Sequence, residues 1–343
     1  MGTQLPLGPV MVDVAGKSLS EEDRARLLHA SVGAVILFAR NYESPEQIAG
    51  LTAEIRALRE PELLISVDHE GGRVQRFRAG YTAIPPMAEL GRQWDNDPTG
   101  AVQRAQAAGF VIAAELAASG IDFSFTPVLD LNLGRSSVIG DRAFHADPNA
   151  VSELAGALVR GLARGGVGAV AKHFPGHGYA HEDSHVAFPV DRRSLDEIRA
   201  HDLVPYRRLA SRLAGVMPAH VAYPSVDSSP AGFSSFWLQQ ILRGELAFDG
   251  VIFTDDLSME GASVAGGIVA RAQAALQAGC DMALVCNKPA SADELLAGLK
   301  VAQDTRRNER LARLRAKPTY PSLSEARADT RYAAALRELT RSA

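Results

Sequence analysis

Gly168-Ala169-Val170-Ala171-Lys172-His173-Phe174-Pro175-Gly176-His177-Gly178 opens as an apolar run and ends in a cation, imidazoles and turn residues. Its first part, Gly168–His173, reads as a strand buried on both faces, the usual condition of a parallel strand. Seven more short β-rich runs flank it: Val10–Val14, Ala34–Phe38, Leu63–Val67, Phe123–Val128, Gly215–Pro218, Val251–Thr254 and Met282–Val285. Helical patterns with start signals lie between them. Ser44-Pro45 with Gln47 supplies an N-cap, an N1 proline and a capping box, and Asp147-Pro148 opens the same way. Ser194-x-x-Glu197 and Ser291-x-x-Glu294 read as two further capping boxes.

Alternation of strand and helix predicts an α/β fold with a parallel sheet. A doubly wound sheet is the competing arrangement, but the glycine-rich dinucleotide turn is missing after the first strand, where only Gly8 and Gly16 stand. No Walker loop is found either. Eight strands without a linker favour a single (β/α)8 TIM-like barrel over residues 1–304, followed by a basic helical tail, 305–343.

The composition suits a globular protein: of 343 residues, 46% are hydrophobic and 22% charged, which excludes disorder and coiled coil as the main organisation. No apolar run approaches the ~18 residues of a membrane span, and Met1 to Gly16 lack the pattern of an export signal. Two cysteines, Cys280 and Cys286, are too few for a disulfide framework. A cytoplasmic monomer is expected, without membrane or nucleic-acid partners. The net charge of −4 conceals an asymmetry, because residues 305–343 carry ten Lys/Arg against four acids. Leu311, Leu314, Leu336 and Leu339 sit at helical spacing among those charges, so the tail reads as amphipathic helices packed on the body. Its expected service is stability, since barrels do their chemistry from the βα loops. Trp94, Trp237 and the two cysteines read as packing groups.

That rule directs attention to the strand ends. Asp68-His69-Glu70-Gly71-Gly72-Arg73-Val74-Gln75-Arg76 follows the third strand; Asp130, Asp141 and Arg142 follow the fourth; Lys172, His173 and His177 close the fifth. His220 follows the sixth, and Asp255 and Asp256 the seventh. His173, His177, His181 and His185 are spaced by four, which on a helix would suggest a zinc site. Pro175, Gly176 and Gly178 argue against a helix there, so no metal is expected. Asp183 and His185, two apart in a loop, can face each other around a turn. A carboxylate beside an imidazole fixes its tautomer and favours the charged form, which suits proton transfer near neutrality.

Four of these segments together resemble the bacterial β-N-acetylglucosaminidases of glycoside hydrolase family 3 that act in peptidoglycan recycling. They are Lys172–Gly178 followed by Asp183-Ser184-His185, the Asp68–Arg76 run, Val138-Ile139-Gly140-Asp141-Arg142, and Ile252-Phe253-Thr254-Asp255-Asp256-Leu257-Ser258-Met259. They are ordered and span residues 68–259. One departure is His69, where the family more often has glutamine. The resemblance implies Asp255 as nucleophile, His185 as general acid/base and Asp183 as its partner. It implies that Asp68, Arg76, Arg142, Lys172 and His173 hold the hydroxyls of a terminal sugar. Asp256 is the rival nucleophile; adjacent residues diverge at a strand end, so only one is expected to face the mouth. The implied substrate is a GlcNAc-containing muropeptide, hydrolysed with retention and without a cofactor. Two other readings stay open: a phosphorylase of the same sugar, and a non-catalytic sugar-binding barrel with a docking tail.

Overall fold

In the computed structural model, which describes residues 3–180, 189–300, 302 and 304–341, all eight predicted strands are present. They are β1 (Val10–Asp13), β2 (Val32–Leu37), β3 (Leu64–Val67), β4 (Phe123–Ser124), β5 (Val170–Phe174), β6 (Gly215–Pro218), β7 (Val251–Ile252) and β8 (Ala283–Leu284). They form two curled parallel sheets, ordered β8-β1-β2-β3-β4 and β7-β6-β5. Single parallel bridges, Val128 to Lys172 and Phe253 to Met282, join the edges of one sheet to those of the other. The fourth strand is shorter than its apolar run predicts. Pro127 has no N–H to give the ladder, and pairing resumes only at Val128.

The helix starts follow their caps, with two corrections. Ser44 accepts from the Gln47 N–H, although the Gln47 side chain returns to the Glu43 N–H rather than that of Ser44. Asp147 caps helix Pro148–Arg164, and Ser194 with Glu197 forms the full reciprocal box. Ser291 caps nothing. Its helix runs Pro289–Gly298 with Lys288 at the N-cap, because Pro289 already holds the φ that a first helical residue needs.

Behind the sheets, helix Pro98–Ala118 lies against helix Pro148–Arg164 at a separation set by glycines. A Cβ on Gly109 would stand 2.1 Å from the Leu158 carbonyl oxygen, and one on Gly161 2.1 Å from that of Gln106. Trp237 is buried among Phe174, Tyr223 and Phe236, as a packing group.

The tail forms helices Thr305–Arg313, Leu323–Ala328 and Thr330–Thr340, with Leu311, Leu314 and Leu339 buried against the body. Its arginines meet acids of the preceding chain. Arg310 spans Asp249 and Asp281 at 2.8 and 3.1 Å, and Arg315 reaches the buried Asp122 at 3.0 Å. The charge asymmetry of the sequence is thus in part a set of contacts between tail and body.

Replacing glycine by alanine in a helix ordinarily stabilises by roughly 0.5–1 kcal/mol. At Gly161 the backbone contact should reverse the sign. Gly161→Ala is expected to destabilise by about 1–3 kcal/mol, seen as a lower melting temperature; an unchanged or higher one would mean that the two helices do not approach as described.

Candidate active site

Parallel sheets place ligands beyond the carboxyl ends of their strands, and the polar residues there converge on one cavity of about 470 Å3. That size lies within the ~300–1,000 Å3 of small-molecule sites. Asp68, Arg76, Arg142, Lys172, His173 and Asp255, all expected from the sequence, line it. Asp183 and His185 lie outside the described residues.

One wall is an ion cluster. Asp68 follows β3 directly, and Lys172 lies within β5. The Lys172 ammonium sits 2.7 Å from Asp68 and 2.6 Å from Glu70. Arg142, brought by the segment after β4, grips Glu70 with two hydrogen bonds of 2.8 Å, and Arg76 lies 3.5 Å from Asp68. Glu70 is only 2% exposed. Burial by itself would raise its pKa; the charges and hydrogen bonds of Arg142 and Lys172 outweigh that and hold the carboxyl well below its usual range. The Arg142 guanidinium, likewise buried, is held above its ordinary pKa by Glu70.

The second wall is built on Asp130. Its carboxylate meets the His173 ring Nδ1 at 2.7 Å and accepts the backbone N–H of His177 at 2.7 Å. Burial would raise the Asp130 pKa, and the charge and hydrogen bond of His173 reverse the direction. His177 faces the same cavity and is kept below the ordinary imidazole value by burial and by the neighbouring charge of His173.

Asp255 and Asp256 both line the cavity, correcting the expectation that only one would. Their environments nonetheless differ. The Asp256 carboxylate is engaged by the N–H and hydroxyl of Ser258 at 2.9 and 2.8 Å, and by the Cys286 thiol at 3.1 Å. Asp255 accepts, among the described residues, one bond: the Asp256 N–H to its Oδ1 at 2.8 Å. Burial would raise the Asp255 pKa, but His220, His173 and Lys172 together with that N–H hold it lower than an ordinary aspartate. An ionised carboxylate with an oxygen left for the cavity is what a nucleophile requires.

Glu70, Asp130 and His177 received no role from the sequence, although they stand in the polar strand-end runs that located the others. Their signal was position alone. Cys286, read as a packing group, is also a donor to Asp256. His69 is not part of the cavity lining: it is buried against Phe77 and Tyr81, and burial with the charges of Arg78 and Arg76 lowers its pKa to about 3. Among the described residues, no group of three His, Cys, Asp or Glu is arranged to hold a metal ion, and no helix is long and apolar enough to cross a membrane.

Residues 6–315 match the model of the glycosyl hydrolase family 3 N-terminal domain, and the chain belongs to that family. It is an enzyme of the glycoside hydrolase class. A β-hexosaminidase of Methylobacillus flagellatus is 60% identical over 90% of this chain and 89% of its own. Another, from Aromatoleum aromaticum, is 63% identical over 86% of this chain and 83% of its own. Among solved structures, NagZ from Neisseria gonorrhoeae in complex with N-trifluoroacetyl-D-glucosamine superposes with a TM-score of 0.93, at 49% identity, over 98% of each chain.

The ion cluster should govern acid stability. Because the folded Glu70 carboxyl titrates below its ordinary value of 4.5, the unfolded chain binds more protons in acid. This contribution is fully present above that value and fades as pH falls through the lower, folded one. Glu70→Gln should cost about 3 kcal/mol at neutral pH by leaving Arg142 and Lys172 short of a counter-charge. In urea unfolding, the gap between wild type and Glu70→Gln should narrow from neutrality to about pH 3. A gap independent of pH would contradict the assignment.

Proposed function

We propose that this protein is an exo-acting, retaining β-N-acetylglucosaminidase that removes non-reducing terminal N-acetylglucosamine from muropeptide fragments in peptidoglycan recycling. The observation that carries the reading is the Asp255 carboxylate, whose Oδ2 accepts no bond from the described residues, at a cavity walled by Asp68, Arg76, Arg142, Lys172 and His173. Charged groups of both signs are suited to vicinal hydroxyls, each of which donates and accepts. Support from outside the chain comes from relatives named β-hexosaminidase and from a relative solved with an N-acylated glucosamine. Free and buried, Cys280 and Cys286 are in keeping with a reducing cytoplasm. We infer as well that the two sheets form one closed (β/α)8 barrel; the support is a parallel bridge at each seam.

The reaction takes two steps. Asp255 attacks the anomeric carbon while the His185 imidazolium gives its proton to the departing glycosidic oxygen, leaving a glycosyl ester on Asp255. His185, now neutral, takes a proton from water as that water attacks the same carbon and frees Asp255. Asp183 orients the imidazole and favours its charged form. The lowered Asp255 pKa favours the ionised nucleophile at neutral pH.

Leaving groups separate the two roles. Asp255→Ala should abolish turnover of both a GlcNAc-containing disaccharide and a nitrophenyl N-acetylglucosaminide. His185→Ala should slow the first step on the disaccharide by about 10²–10⁴-fold and spare it on the aryl glycoside, whose phenolate leaves with little protonation. The aryl substrate should then give a burst and a covalent sugar adduct, which mass spectrometry with fragmentation assigns to Asp255 or Asp256. Substantial activity in Asp255→Ala, with no adduct formed, would sink the mechanism.

A further inference from the structure

Thr82 stands in the segment that carries the chain away from Arg76, and its polar groups turn from the cavity toward a buried carboxylate. Its N–H lies 3.1 Å from both Glu115 oxygens, and its hydroxyl donates to Oε1 at 2.8 Å. The third member comes from the tail. Tyr332, in helix Thr330–Thr340, donates its hydroxyl to the same Oε1 at 2.6 Å and lies 3.0 Å from the Thr82 hydroxyl. Glu115 and Tyr332 are 1% and 3% exposed. A carboxylate so placed needs its partners, because an unpaired one is expensive to bury. Tail docking and the conformation of the 76–84 segment therefore share one set of bonds.

The connection continues to the site. Gln75, adjacent to Arg76, donates from Nε2 to the carbonyls of Thr82 at 2.9 Å and Phe77 at 3.0 Å. Its Oε1 accepts the Ile84 N–H at 3.0 Å. Arg327, in helix Leu323–Ala328, adds a hydrogen bond to the Gly80 carbonyl. Residues 78–80 are exposed between the buried Phe77 and Tyr81, and these bonds fix the polar groups of the segment that those two side chains anchor.

We propose that the C-terminal segment is part of the sugar-binding apparatus. Tyr332, acting through Glu115 and Thr82, is a positioning residue that keeps Arg76 at the cavity beside Asp68. The proposal rests on the reading of Arg76 as a sugar contact. Its physical content is preorganisation: an arginine on an untethered segment must be ordered when sugar binds, and affinity falls accordingly. The tail then does more than stabilise the fold, which departs from the expectation drawn from its sequence.

A double-mutant cycle in the full-length enzyme tests this. The variants are Tyr332→Phe, Arg76→Ala and the two combined, with Thr82→Val breaking the same joint from the other side. Turnover is measured on nitrophenyl N-acetylglucosaminide, with N-acetylglucosamine as competing product. Tyr332→Phe and Thr82→Val should each raise KM and the inhibition constant together by about three- to tenfold, leaving kcat within about twofold. In the Arg76→Ala background Tyr332→Phe should add nothing. Raised KM in Arg76→Ala beside wild-type KM in Tyr332→Phe, or additive effects of the two, would overturn the positioning role alone. Unchanged KM in Arg76→Ala would overturn the sugar role of Arg76, and the proposal with it.

Discussion

Glu70 is buried where a single carboxylate could not remain charged without partners, and its partners come from separate stretches of chain. Lys172 arrives from β5 and Arg142 from the segment after β4; neither is tolerable there without a counter-charge. Asp68, at the end of β3, shares Lys172 and draws in Arg76. The wall is thus fixed by mutual neutralisation. Each group is held by a neighbour of opposite sign, so the geometry of all of them is set without a ligand. Such preorganisation is what allows polar side chains to bind hydroxyls in competition with water.

The same electrostatics separates two adjacent aspartates. Asp256 has its carboxylate occupied by Ser258 and Cys286 and stays part of the frame. Asp255 is surrounded by His220, His173 and Lys172, which favour its anion without occupying its Oδ2. His173 is in turn anchored on Asp130, so the second wall repeats the device of the first. Position in the sequence does not distinguish the pair; the partners do.

Strands and most helix starts were legible because they depend on local signals. Apolar runs marked all eight strands, and Ser44, Asp147 and Ser194 marked caps that are present. Local signals also misled where two competed, as Pro289 displaced Ser291 and Pro127 cut the fourth strand short. At the site, six of the expected residues meet at one cavity because strand ends must converge. Glu70 and Asp130 stood in the polar strand-end runs without a role, because their importance lies in what they touch across the fold and no spacing encodes that. The link between Tyr332 and Glu115 is hidden for the same reason, since 217 residues separate its ends.

The most direct measurement is a crystal structure with N-acetylglucosamine bound. The sugar should lie in the cavity with its hydroxyls against Asp68, Arg76, Arg142, Lys172 and His173, and its anomeric carbon within about 3.5 Å of Asp255 Oδ2. A sugar bound outside that cavity, or one whose anomeric carbon faces Asp256 with Asp255 out of reach, would contradict the assignment of the nucleophile and of the wall that presents the substrate to it.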